Sequence, residues 1–128
     1  MAEGRRYEGF VPGRYNLDAY GNGGFRFADM SHRGSILALP SGIKAWDVTD
    51  PEALTTGDFG AVIAEAEAIE LLLVGTGTEL VPLGERVRHR LRDVGIAVEV
   101  MQTGAAARTY NVLLAENRRV AAALIAVD

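Results

Sequence analysis

At 128 residues, 48% hydrophobic and 23% charged, the chain has the size and balance of one globular domain, which excludes a disordered chain and a pair of domains. It has no cysteine, so disulfides, thiolate catalysis and zinc–thiolate centres are excluded, and its two histidines, His32 and His89, fall in no metal-ligand spacing. A net charge of −4 argues against nucleic acid as a partner, because phosphate contacts need a basic field.

Residues 1–19 are expected to form an irregular arm, since Gly4, Gly9, Pro12 and Gly13 punctuate the backbone too densely for a helix. Met1 to Gly13 mixes Arg5 and Arg6 with Glu3 and Glu8 and carries no apolar stretch, so no targeting segment is read and a cytoplasmic location is expected. Residues 20–128 are expected to be a single α/β domain. Its opening part, Phe25 to Phe27, Ser35 to Leu39 and Ile43 to Val48, reads as an antiparallel β-meander broken at Ser31 to Gly34 and at Pro40 to Gly42. Trp46 is expected to pack in the core.

After the turn at Asp50 to Glu52, Thr56 to Asp58 supply a cap, and Phe59, Val62, Ile63 and Ala66 recur at the spacing of a helix of about three turns. Ile69 to Val74, apolar except at Glu70, reads as a strand covered on both faces. Pro82 opens a second helix whose stripe is Leu83, Val87, Leu91 and Val94, ending at Gly95. Ile96 to Met101 reads as a strand, Thr103 as the cap of a helix reaching Asn117, and Val120 to Val127 as the last strand. That last run is also the longest apolar stretch, far short of the roughly 20 residues of a membrane-spanning helix. The order β-α-β-α-β implies a largely parallel or mixed sheet, in which ligands gather at the carboxyl ends of the strands.

Gly75, Thr76 and Gly77 leave one strand there, and Met101, Gln102, Thr103 and Gly104 leave the next. Amides at the start of the following helix favour an anion, and Gly104 would allow close approach. Arg108 and Asn111 extend this candidate ligand site one turn along, and the buried face of the same helix is assigned to Ala106, Tyr110, Leu113 and Leu114. No phosphate-binding lysine and no serine, cysteine or histidine nucleophile accompanies them, so no catalytic residue, metal or cofactor is assigned. The basic stretch Arg86, Arg88, Arg90 and Arg92 stands out in an acidic chain and is the candidate docking face for an acidic protein partner.

The segment Met101 to Ile125, with Gly-Thr-Gly at Gly75 to Gly77, Tyr-Gly-x-Gly-Gly-Phe-Arg-Phe at Tyr20 to Phe27, and the stretches beginning at Ser35 and Trp46, resembles the Mth-nine-three-eight-like domain family, a domain of unknown function. The resemblance implies a layered β/β/α fold, and the family includes mitochondrial assembly factors of respiratory NADH:ubiquinone oxidoreductase, complex I. Relatives often carry an acidic residue where this chain has Gln102 and a cysteine where it has Ala107. Two functional readings follow: an accessory protein that binds subunits of a respiratory complex, and a small-ligand or anion-binding domain or enzyme using the crevice between the two loops.

Overall fold

The computed structural model describes residues 9–128; the first eight residues of the expected arm, Arg5 and Arg6 among them, lie outside it. Two sheets are present among the described residues. The larger has six strands in the order β1-β6-β5-β9-β7-β8 and the smaller has three, β2-β3-β4. Their bounds are β1 Phe10–Pro12, β2 Ala19–Gly21, β3 Gly24–Phe27, β4 Met30–Arg33, β5 Ser35–Leu39, β6 Gly42–Trp46, β7 Leu71–Gly75, β8 Ala97–Met101 and β9 Val120–Leu124. The helices are α1 Gly60–Ala64, α2 Glu85–Asp93 and α3 Thr103–Ala115.

The large sheet is mixed. β9 runs parallel to β7 and antiparallel to β5, and β8 joins β7 in parallel. Side chains alternate across a strand, so the apolar runs of β5, β7 and β9 supply both faces at once. Ile36, Ala38, Leu73, Val120, Ala122 and Leu124 face one core with Phe25, Phe27 and Tyr110; Leu37, Leu39, Leu72, Val74, Ala121 and Ala123 face the other with Phe59, Val62, Val87 and Leu91. The small sheet and α3 cover the first face, and α1 and α2 the second. This is the layered α/β arrangement expected. Trp46 is buried, its Nε1 donating to the Asp58 carbonyl at 2.8 Å and its ring meeting Phe59 edge-on.

Several local expectations need correction. The arm is not irregular throughout: Phe10–Pro12 pairs with β6. The meander is divided between two sheets, because the stretch from Ser31 read as a break belongs to β4. A two-residue turn, Ala28 and Asp29, both at positive φ, folds β4 back on β3, and Gly34, φ +101°, turns the chain out of the small sheet into β5. The three-turn helix is reduced to the five residues of α1 between two 3₁₀ turns, Thr56–Phe59 and Ala66–Ala68. Gly57 and Gly60 weaken helix propagation there, and Glu65 is drawn off to accept from the Ser41 amide at 3.0 Å. Pro82 does not open α2, which starts at Glu85 after an extended Gly84; Leu83 reaches the core from that extended lead-in.

The α2 stripe itself is as read, with Val87 and Leu91 buried and Arg90 exposed. Leu91→Ala should cost about 2–5 kcal/mol as a core truncation, and Arg90→Ala should stay within about 0.5 kcal/mol. A denaturant titration giving equal losses would contradict this helix phase.

Candidate functional site

Register brings the two candidate loops together, since Gly75 pairs with Met101 across β7 and β8. Beyond that pair the chain binds itself. The Thr76 amide donates to the Met101 carbonyl at 2.9 Å, and the Thr103 amide donates to the Gly77 carbonyl at 2.9 Å. Thr103 is the first residue of α3 and not its cap; the preceding position falls to Gln102. Its buried Oγ1 accepts from the Gly77 amide at 2.9 Å and donates to the Ile125 carbonyl at 2.7 Å. The Ile125 amide then donates to the Gly75 carbonyl at 3.0 Å, which fastens the ends of β7, β8 and β9 through one hydroxyl.

Thr76 is also engaged, its Oγ1 donating to the Glu79 carbonyl at 2.6 Å and accepting from the Val81 amide at 3.1 Å. Gln102 Nε2 donates to the Thr78 carbonyl at 2.9 Å. Gly75 is required by this closeness: a Cβ there would lie 2.9 Å from Thr103 Cα and 2.9 Å from Leu124 Cδ2. Gly104 has a close neighbour from within the chain. The Tyr20 ring lies on it, with Tyr20 Cζ 2.7 Å from where a Cβ would stand, and Arg108 Nη1 donates to Tyr20 Oη at 3.2 Å. Asn111 clamps the chain before β2, accepting from the Leu17 amide and donating to its carbonyl, both at 2.8 Å.

Of the sequence-derived set, Gly77, Gln102, Gly104 and Arg108 therefore line one open cavity of about 210 Å³, with Tyr20 on its wall. Gly75, Thr76 and Thr103 are buried, Met101 packs against the core under α3, and Asn111 lies outside the cavity. The cavity's wall carries one cation, Arg108, and no carboxylate. Tyr110, one turn along α3, is fully buried, and its hydroxyl has no hydrogen-bond partner among the described residues. Burial pushes this phenol up from its ordinary range, partly opposed by the Arg14 charge, so it stays neutral. Among the described residues no group of three His, Asp or Glu side chains could hold a metal ion.

The arginines of α2 form two ridges and not one face. At 100° per residue, Arg88 and Arg92 share one ridge and Arg86 and Arg90 another, on either side of the buried Val87–Leu91 stripe. The crest between them is Glu85, His89 and Asp93, where His89 Nε2 lies 3.4 Å from Asp93 Oδ2. The Arg88–Arg92 ridge overhangs a groove of about 500 Å³ whose floor is Gly95, Ile96, Ala97 and Val98, at the start of β8. Sequence reasoning passed over this groove, and over Tyr20 as the cover of α3. It also passed over a concavity of about 420 Å³ on the small sheet, walled by Arg26, His32 and Arg33.

The hydroxyl of Thr103 gives the strand-end arrangement a direct test. Thr103→Val keeps the shape but leaves the Ile125 carbonyl and Gly77 amide without their partner, so about 1–3 kcal/mol should be lost in denaturant unfolding. Thr103→Ser should recover most of it, and a serine variant no more stable than the valine variant would contradict the role of the hydroxyl.

Residues 17–125 match the family model described as Protein of unknown function (DUF498/DUF598). An uncharacterized protein of Rhodobacter capsulatus is 39% identical over 94% of this chain and 90% of its own. The mouse protein named NADH dehydrogenase [ubiquinone] 1 alpha subcomplex assembly factor 3 is 34% identical over 85% of this chain, which spans 59% of that relative's length. Among solved structures, one described as an outer membrane protein from Bartonella henselae is 57% identical, covers 91% of this chain and 98% of its own, and superposes with a TM-score of 0.88. A Bordetella pertussis structure described as an Mth938-like domain is 31% identical over 88% of this chain and 85% of its own, with a TM-score of 0.77. Among the described residues no helix is long and apolar enough to cross a membrane. The chain thus belongs to the DUF498/DUF598 family and carries its Mth938-like fold.

Proposed function

We propose that this chain is an accessory protein that binds a protein partner during assembly of the NADH dehydrogenase (ubiquinone) complex, and that the arginines of α2 form its docking surface. The observation that carries the reading is the 34% identity, over 85% of the chain, to a relative named as an assembly factor for that complex. The surface chemistry supports it. Most polar groups at the strand ends are committed to the chain's own backbone, whereas α2 presents four arginines, three of them exposed, on a chain whose net charge is −4. A local basic patch of this kind steers an acidic partner that the net charge alone would repel.

The reading needs no chemistry beyond recognition. The charged heads stay hydrated until the partner arrives, so the patch contributes little to folding and acts on the association rate. Replacing Arg86, Arg88, Arg90 and Arg92 together with glutamine should leave the melting temperature near that of the wild type. In a tagged pull-down from the native host at low salt, recovery of NADH dehydrogenase subunits should fall by about tenfold or more. Equal recovery by both proteins would remove α2 as the docking surface, and recovery of no such subunit by the wild type would count against the assembly role.

A further inference from the structure

The large sheet ends in two edges that are built differently. At one edge, β1 is three residues long and closes on Pro12, the short, proline-bearing form that discourages further pairing. At the other, β8 has five residues, no proline and no lysine, and among the described residues no strand pairs with its outer side.

The ladder fixes which groups are presented there. The Ala97 amide donates to the Glu70 carbonyl at 3.1 Å, and the Met101 carbonyl accepts from the Thr76 amide at 2.9 Å. Residues 97, 99 and 101 therefore hold β7, and the amides and carbonyls of Val98 and Val100 point outward, away from it. The Val98 and Val100 side chains lie on the α2 face of the sheet, against the core that contains Val87 and Leu91. Ala97 and Glu99 are exposed on the opposite face.

We infer that the outer edge of β8 takes an extended, acidic segment of a protein partner as an additional strand, seated in the groove beneath Arg88 and Arg92. The inference rests on the protein-binding reading above and supplies its mode. A strand added about 4.8 Å from β8 would place alternate side chains on the α2 face, in the groove lined by Arg88, Arg92, Gly95, Ile96, Ala97 and Val98. Carboxylates at those positions meet the two guanidinium groups. The intervening positions fall beside Glu99, where another carboxylate is disfavoured. The occupant is thus a strand whose acidic residues alternate with apolar ones, not a uniformly acidic tail. A second copy of this chain fits poorly, because pairing β8 with β8 would bring a second arginine-bearing α2 against the first.

The test uses the whole chain and an eight-residue synthetic peptide alternating valine and glutamate, with a valine–lysine peptide as control. Amide exchange followed by NMR should slow about tenfold or more at Val98 and Val100 with the glutamate peptide and stay unchanged with the lysine peptide. Val98→Pro removes an outward amide that the β7 ladder does not use, so binding should be lost while the protein still melts as a folded domain. Independently of that variant, Arg88→Glu with Arg92→Glu should reverse the preference toward the lysine peptide. No protection at Val98 and Val100, equal protection by both peptides, or protection that rises with protein concentration in the absence of peptide would overturn the inference. In a native-host pull-down, equal recovery of NADH dehydrogenase subunits by the wild type and a folded Val98→Pro variant would overturn edge docking and leave the assembly reading standing. Failure of the wild type to recover any would do the reverse.

Discussion

The fold depends on β9 being buried on both faces and paired on both edges. Val120–Leu124 is fully buried and holds β5 on one side and β7 on the other, so it is where the hairpin half of the chain and the α/β half become one sheet. Its three alanines, Ala121, Ala122 and Ala123, take little room, which lets α3 settle close on one side of the sheet and the α1–α2 layer close on the other. The alternation of β9 then sorts the molecule into two cores.

The second constraint acts at the strand ends. Ser35 repeats at the hairpin half what Thr103 does at the α/β half: its hydroxyl donates to the Val48 carbonyl at 2.7 Å and accepts from the Ala126 amide at 3.0 Å. Buried hydroxyls in such positions satisfy backbone groups that the ladder leaves over, and they do so at the edge where folds of this class commonly bind ligands. With Tyr20 laid over Gly104 as well, the chain itself occupies part of that edge and leaves two concavities there, the one beside Arg108 and another of about 390 Å³ between residues 49–52 and 76–79. At the far side of the sheet the charged helix α2 lies beside the edge strand β8.

Much of this was legible in the sequence because periodicity reports burial. Ile69 to Val74 reads as a strand covered on two faces, two residues ahead of where β7 begins, Val87 and Leu91 as a helix stripe, and Tyr110 as core. The edge position of β8 is also written there, since Ala97 and Glu99 alternate with Val98 and Val100 where β7 is unbroken. The small sheet was harder. Asn22-Gly23, both at positive φ, is a strong two-residue hairpin signal that marks β2 and β3, but Ala28-Asp29 makes the same kind of turn with residues that do not advertise it. The commitments of Thr103 and Asn111 could not be read, because their partners lie 22 and 94 residues away along the chain. Nor does spacing alone show that four arginines at every second position straddle a helix stripe.

Native-state amide exchange across the large sheet tests the claim about β9 most directly. The amides of β5, β7 and β9 should share one opening free energy, equal to that of global unfolding, because a strand paired on both sides cannot release one neighbour without exposing both cores. Amides of β5 that open well below the global value while β7 and β9 stay protected would show two separable halves, and would contradict the account of β9 as the element that unites them.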